Sequence, residues 1–215
     1  MGRILFRFGR RILPGFISRG CTCGYSGGVE TVERLIRSTQ ELLWERGYVG
    51  TSPKAIQRAA DAGQGSMYHH FAGKAELAKA AIERSGAELR AAADVQLAGE
   101  GSGSERIAGY LERERDVLKG CRVGRLTADP DVIADPMLRA PVAETFEWLR
   151  TRLAEVVAEG KRSGEYPESL DPQRIAATVA AVLQGGYVLA RAAGLVEPFE
   201  LAVQGLIDLL PEATK

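Results

Sequence analysis

Gln64, Gly65, Ser66, Tyr68 and His69 crowd hydrogen-bonding groups and one missing side chain into six consecutive positions. A glutamine amide can bond adenine through both of its ends, and a serine hydroxyl serves several bases. Glycine lets a backbone approach a duplex closely, and the tyrosine and histidine carry groups that reach phosphate oxygens. Lys74 adds a cation beside the amides that open the following segment. Thr51 and Ser52 place hydroxyls at an earlier helix start, where free amides suit a phosphate. Together these residues are equipped to recognise a polyanion that displays base edges. They are poorly equipped to make or break bonds.

Such a set works only if rigid elements hold it out. Val32, Leu35, Ile36, Thr39, Leu42 and Leu43 recur at three- and four-residue steps, which predicts one buried helical face ending near Gly47. Ser52 followed by Pro53 reads as an N-cap and first helical residue. Ala55, Ile56, Ala59 and Ala60 give that second helix a small inner face. A break at Asp61–Gly63 leads to a third helix over Gln64–Phe71. Asp61 tolerates the left-handed conformation a tight turn needs, and Gly63 can cap a helix. Helix, turn and helix over 52–71 form a unit able to present a short helix to a DNA major groove. Phe71 belongs to its core, His70 packs or caps, and the hydroxyl of Tyr68 favours phosphate contact over burial. Adjacent His69 and His70 face different sides of a helix, so no metal site is expected there, and no cofactor is expected anywhere.

The stretch Thr51-Ser-Pro-Lys-Ala-Ile-Gln-Arg-Ala-Ala-Asp-Ala-Gly-Gln-Gly-Ser-Met-Tyr-His-His-Phe-Ala-Gly-Lys-Ala-Glu-Leu77 closely resembles the DNA-binding signature of TetR-type repressors. The Ile56-to-Tyr68 spacing, the Tyr-x-x-Phe ending and the Lys-x-x-Leu opening of the next helix carry the likeness, over about 47 residues. At the turn the family usually has Gly, an aliphatic residue and Ser, where this chain has Asp61, Ala62 and Gly63. The resemblance implies a homodimer on a double-stranded DNA operator, an effector pocket in each C-terminal domain, and a last pair of helices in a dimeric four-helix bundle. Gly120-Cys-Arg-Val-Gly-Arg-Leu126 is similar to a segment of the branch that holds lincomycin-resistance and flavonoid-sensing regulators.

Downstream, Glu76–Leu97 reads as a long amphipathic helix, followed by a flexible Gly- and Ser-rich connection over Ala98–Ser104. Helices are predicted over Glu105–Lys119, Leu138–Arg162, Pro172–Ala193 and Glu197–Leu210, with an irregular Cys121–Pro136 between the first two. The fold class is therefore all-α: an N-terminal three-helix DNA-binding domain (29–75) and a larger helical effector-binding and dimerisation domain (76–215). Tyr110, Met137, Phe146, Trp148, Gln184 and Tyr187 are the side chains suited to line a pocket for an unknown small apolar or amphipathic effector. Each is equally at home in ordinary core. Gly185-Gly186 costs helix stability, which a gap for ligand or, as the resemblance favours, close helix packing at a dimer interface would explain. Cys121 reads as a small buried residue.

Composition sets outer bounds. The 215 residues hold 28 basic and 28 acidic side chains, yet residues 1–74 contain eleven Arg or Lys against five acids, a balance of +6. One end is thus the better partner for a polyanion. Five of those cations lie in residues 1–28, a basic segment read either as a flexible arm or as a mis-assigned leader preceding a start near Val29. Its Arg10-Arg11 pair lacks the apolar stretch an export signal needs. Three cysteines build no disulfide framework, pointing to a reducing cytoplasm, and no run of eighteen apolar residues suits a membrane. Two rivals stand. An all-α enzyme is opposed by a C-terminal half without histidine, and a helical protein-binding adaptor is favoured only by the unusual turn.

Overall fold

The computed structural model describes residues 26–211. Among these the chain is helical without strands: α1 (Ser26–Arg46), α2 (Pro53–Ala59), α3 (Gln64–His70), α4 (Lys74–Leu97), α5 (Gly103–Glu112), α6 (Pro130–Ala134), α7 (Pro136–Arg162), α8 (Pro172–Ala193) and α9 (Glu197–Ile207), with a 3-10 turn over Gly124–Ala128. Most of the basic 1–28 segment lies outside the described residues, and α1 begins one turn before Val29.

Three apolar clusters form in succession. Leu35, Leu42, Ile56, Met67, Phe71 and Leu77 hold α1, α2 and α3 together. Leu43, Ala81, Ile82, Val123, Leu126 and Leu138 fill the waist. Leu97, Ile107, Leu153, Val157, Leu183 and Phe199 form the core of the larger bundle. The α4 helix contributes to all three through Leu77, then Ala81 and Ile82, then Leu97. At 1.5 Å per residue it is a rod of about 36 Å that connects the two ends of the molecule.

Helix boundaries follow local chemistry. Gly47 ends α1 at φ +72°, and Ser52 Oγ accepts the Ala55 amide at 3.2 Å to start α2. The capping box at α5 is complete, Ser102 and Glu105 each satisfying the other's backbone amide. Here the structure corrects the expected Glu105–Lys119 helix. The backbone leaves the helix at Arg113, and Arg115 folds back to donate to the carbonyls of Leu111 and Arg113 at 2.6 and 2.7 Å and to that of Tyr110. The irregular 121–136 stretch also contains more order than expected. Asp129 and Asp135, each followed by a proline, cap α6 and α7. Gly186 is close-packed against Phe199 of its own chain, where an added Cβ would lie 3.0 Å from the ring, whereas Gly185 faces open space.

Candidate functional site

The turn between α2 and α3 adopts the geometry its residues allow. Asp61 takes φ +47°, and Gly63 is the N-cap of α3 in extended conformation. Met67 and the C-cap Phe71 are buried, so α3 is pinned by one face. Gln64, Gly65, Tyr68 and His69 are exposed on the other, with Ser66 half-buried. Tyr68 keeps 47% of its surface free, far from a core position. The His69 and His70 rings meet edge-on at 4.9 Å.

Two expected contacts are differently placed. Thr51 is only 1% exposed, and its hydroxyl donates to the Gly47 carbonyl at 2.7 Å. This corrects the expectation that its hydroxyl faces a phosphate: it closes the turn between α1 and α2. Ser52, beside it, is exposed while capping α2. Lys74 is half-buried at the start of α4, with its Nζ 3.8 Å above the Tyr48 ring. Burial lowers its pKa, against the opposing pull of Asp129 and Asp131.

The second site is a narrow, partly open cavity lined by α4, α5, α7, α8 and the loop at 121–123. Tyr110, Phe146, Trp148, Gln184 and Tyr187 line it. Met137 does not: it lies at the first turn of α7, 39% exposed, where α7 has yet to reach the bundle core. Arg90, Arg113 and Cys121 also line the cavity and were missed. Arginines on amphipathic helices look like solvated-face residues, and no spacing rule distinguishes these two. Cys121 is half-buried, and its Sγ accepts the Gly124 amide at 3.2 Å. Burial pushes the Tyr187 phenol up to about 12 and raises that of Tyr110, with Arg115 and Arg113 opposing. Both remain neutral hydroxyls near pH 7.

A dense set of contacts joins the cavity to the helix-turn-helix. Trp44 of α1 donates its indole N–H to the Gly120 carbonyl at 2.9 Å, and Arg125 donates to the Trp44 carbonyl. Lys119 and Arg122 flank the Trp44 ring at 3.8 and 4.2 Å, and both pair with Glu41. One oxygen of Asp129 accepts the amides of Tyr48 at 2.7 Å and Val49 at 3.0 Å. The segment 119–129 thus forms part of the cavity wall and grips the end of α1.

Comparison with known proteins places these two sites in context. A family described as "Bacterial regulatory proteins, tetR family" matches residues 35–81, and one described as "Tetracyclin repressor-like, C-terminal domain" matches residues 104–206. The chain is 23% identical over 188 residues to the HTH-type transcriptional repressor NemR of Escherichia coli K12, covering 84% of this chain and 94% of that one. It is 28% identical over 151 residues to the transcriptional regulator AcuR of Cereibacter sphaeroides, covering 67% of this chain and 68% of the relative. A crystal structure of a TetR transcriptional regulator from Chloroflexus aurantiacus superposes with a TM-score of 0.75 at 28% identity, covering 85% of this chain and 94% of that one. Reduced E. coli NemR gives a TM-score of 0.77 at 22% identity, covering 86% of this chain and all of that one, a likeness of fold alone.

Proposed function

The chain belongs to the TetR family of bacterial regulatory proteins, and on that premise we propose how this particular molecule binds an operator and is released from it. It is a DNA-binding transcriptional regulator of the repressor type with a ligand-binding C-terminal domain, acting in the cytoplasm. Residues 29–75 read DNA, and residues 76–215 bind the effector and the second subunit. The narrower likeness of 120–126 to the lincomycin-resistance and flavonoid-sensing branch finds no support among these relatives. Structurally, that segment fastens α1 to the cavity.

The observation that carries the DNA assignment is the two-sidedness of α3. Met67 and Phe71 anchor one face, while Gln64, Gly65, Tyr68 and His69 stand free on the other. Gln64 and Ser66 read bases. Tyr68, His69, Lys74 and the amides at Ser52 hold phosphates. Dimerisation uses the outer face of α8, α9 and the turn between them, where Val188, Leu189, Leu195 and Leu201 are between 54% and 67% exposed. A soluble subunit gains by covering such a face. Two heads then meet one duplex about 34–36 Å apart.

Release needs a ligand that favours a different head spacing. A molecule filling the narrow cavity displaces the wall at Cys121 and Val123. The same strand of chain is tied to Trp44, Tyr48 and Val49, so α1 and the helices packed on it move as well. The α4 rod provides a parallel route. Electrophoretic mobility shift with the gene's own upstream DNA tests the assignment. Gln64→Ala changes base preference at one position per half-site by about 1–3 kcal/mol. Lys74→Ala weakens all sequences alike and lowers the salt slope. Uniform loss in Gln64→Ala removes it as a base reader, and no binding to any duplex leaves a helical adaptor as the better description.

A further inference from the structure

The cavity is chemically lopsided. The chain as a whole balances 28 basic against 28 acidic side chains, yet among the described residues no Asp or Glu lines this space, while Arg90 and Arg113 do. Several other arginines find carboxylates: Arg84, Arg106, Arg122 and Arg152 reach them at 2.6 to 2.9 Å. Neither Arg90 nor Arg113 has an ion pair or side-chain hydrogen bond among the described residues. The Nε of Arg113 is buried without a partner. Its neighbour Arg115 shares that feature but spends its remaining donors on three backbone carbonyls, so it serves the end of α5. The Arg113 guanidinium instead lies over the face of Tyr110, 5.7 Å from the ring centre.

A half-buried guanidinium without a counter-charge is costly, because desolvation is not offset by pairing. Both side chains keep partial exposure, but among the described residues no carboxylate pairs with either. The missing charge is naturally supplied by whatever fills the cavity. The rest of the lining describes the remainder of that molecule. Phe146, Trp148 and Leu149 offer flat apolar walls, and the Tyr187 hydroxyl and the Gln184 amide are neutral groups able to donate to an oxygen. Guanidinium matches a carboxylate through paired donors.

We propose that this cavity binds an aromatic carboxylate, with the charge held by Arg113 and Arg90 and the ring between Phe146 and Trp148. The inference rests on the effector-binding role given above and narrows it from an apolar or amphipathic ligand to an anionic one. The cavity is narrow, so an aromatic ring that enters it must displace the wall at Cys121 and Val123.

The test compares shape-matched acids and amides on the full-length chain without DNA, by isothermal titration calorimetry: benzoate with benzamide, 2-naphthoate with 2-naphthamide, and biphenyl-4-carboxylate with its carboxamide. At least one acid is expected to bind about tenfold or more tightly than its amide. R113M and R90M each reduce that preference and the double variant abolishes it, with amide affinity held within about threefold and R113K retaining part of the preference. Because Met removes an unpartnered buried donor, unliganded R113M melts no lower than the parent. A clear fall in its Tm assigns Arg113 to the fold and overturns the proposal. R90M, on a different helix, must lower the preference by itself. If no acid outbinds its amide, including the case in which none of the six binds at roughly 10 mM, the anion site does not exist. Operator release, followed by mobility shift, separates the two claims. Acids that bind preferentially without releasing DNA preserve the anion site and defeat its regulatory role. Release by amides and acids alike preserves regulation and defeats the anion site.

Discussion

The outer face of α3 and the wall of the cavity both present polar side chains without a hydrogen-bond or ion-pair partner among the described residues, but the physical weight of that freedom differs. Gln64, Tyr68 and His69 are exposed, so water satisfies them and their lack of partners costs nothing. Arg113 lies in a half-buried setting where its Nε has no substitute for water. On an exposed helix, side-chain type must carry the argument, and here amide, hydroxyl and glycine on a braced helix suit DNA. In a cavity, an unsatisfied group itself points to a missing molecule. Each region can therefore be broken without the other.

The largest expected effect separates recognition from stability. Gly65 is the second residue of α3, and an added Cβ meets nothing within 4 Å. Gly65→Glu places a carboxylate against duplex phosphates in both subunits, and operator affinity falls by about a hundredfold. The same change replaces a poor helix former and puts a negative charge at a helix start, so the free protein is stabilised by about 0.5–1 kcal/mol. Fluorescence anisotropy and thermal melting should move in opposite directions. A fall in both would mean that Gly65 serves the fold.

Next in size is the tie between the two regions. Asp129→Ala removes the acceptor of the Tyr48 and Val49 amides and is expected to cost about 2 kcal/mol in chemical denaturation. Exchange of those two amides should quicken ahead of the helix-turn-helix core, and effector should release DNA less completely. If response to ligand is unchanged, the Asp129 tie does not carry the signal, which then runs through the contacts around Trp44 or through α4. A control follows from the α5 capping box: Ser102→Ala lowers stability by about 1 kcal/mol and leaves operator affinity as it was, because this cap lies in the far bundle, opposite the head.

The contrast also explains what was legible beforehand. The helix-turn-helix follows short-range rules: Ser52-Pro53 opens α2, Asp61 permits the left-handed turn, and Gly63 opens α3. These features are visible in neighbouring residues. Thr51 was misassigned because a hydroxyl next to an N-cap looks the same whether it turns outward or back to Gly47. The end of α5 was misplaced because Arg115 caps it through a long side chain, an arrangement no periodicity records. The cavity aromatics are suggested by residue type. The cavity arginines were not, because their significance lies in the absence of carboxylates contributed by four other segments.

A third class of polar group, charged and fully partnered, gives the smallest prediction and the cleanest contrast with Arg113. Glu41 is paired with Lys119 at 3.1 Å and Arg122 at 2.7 Å, and those cations flank Trp44. Partial burial pushes its carboxyl upward, but hydrogen bonding to Lys119 and the charges of Arg122 and Lys119 outweigh that and hold the carboxyl below the ordinary glutamate range. A folded pKa below the unfolded one contributes stability that is present above about 4.5 and is lost as pH falls through the folded value. Because the carboxylate is 42% exposed, solvent screening limits the contribution to about 0.5 kcal/mol. Glu41→Gln should therefore lower stability slightly at pH 7, with the difference from the parent shrinking below pH 4.5. A difference that persists undiminished into acid would assign the loss to packing around Trp44. In Glu41 the partners are part of the fold; for Arg113 the partner has to arrive.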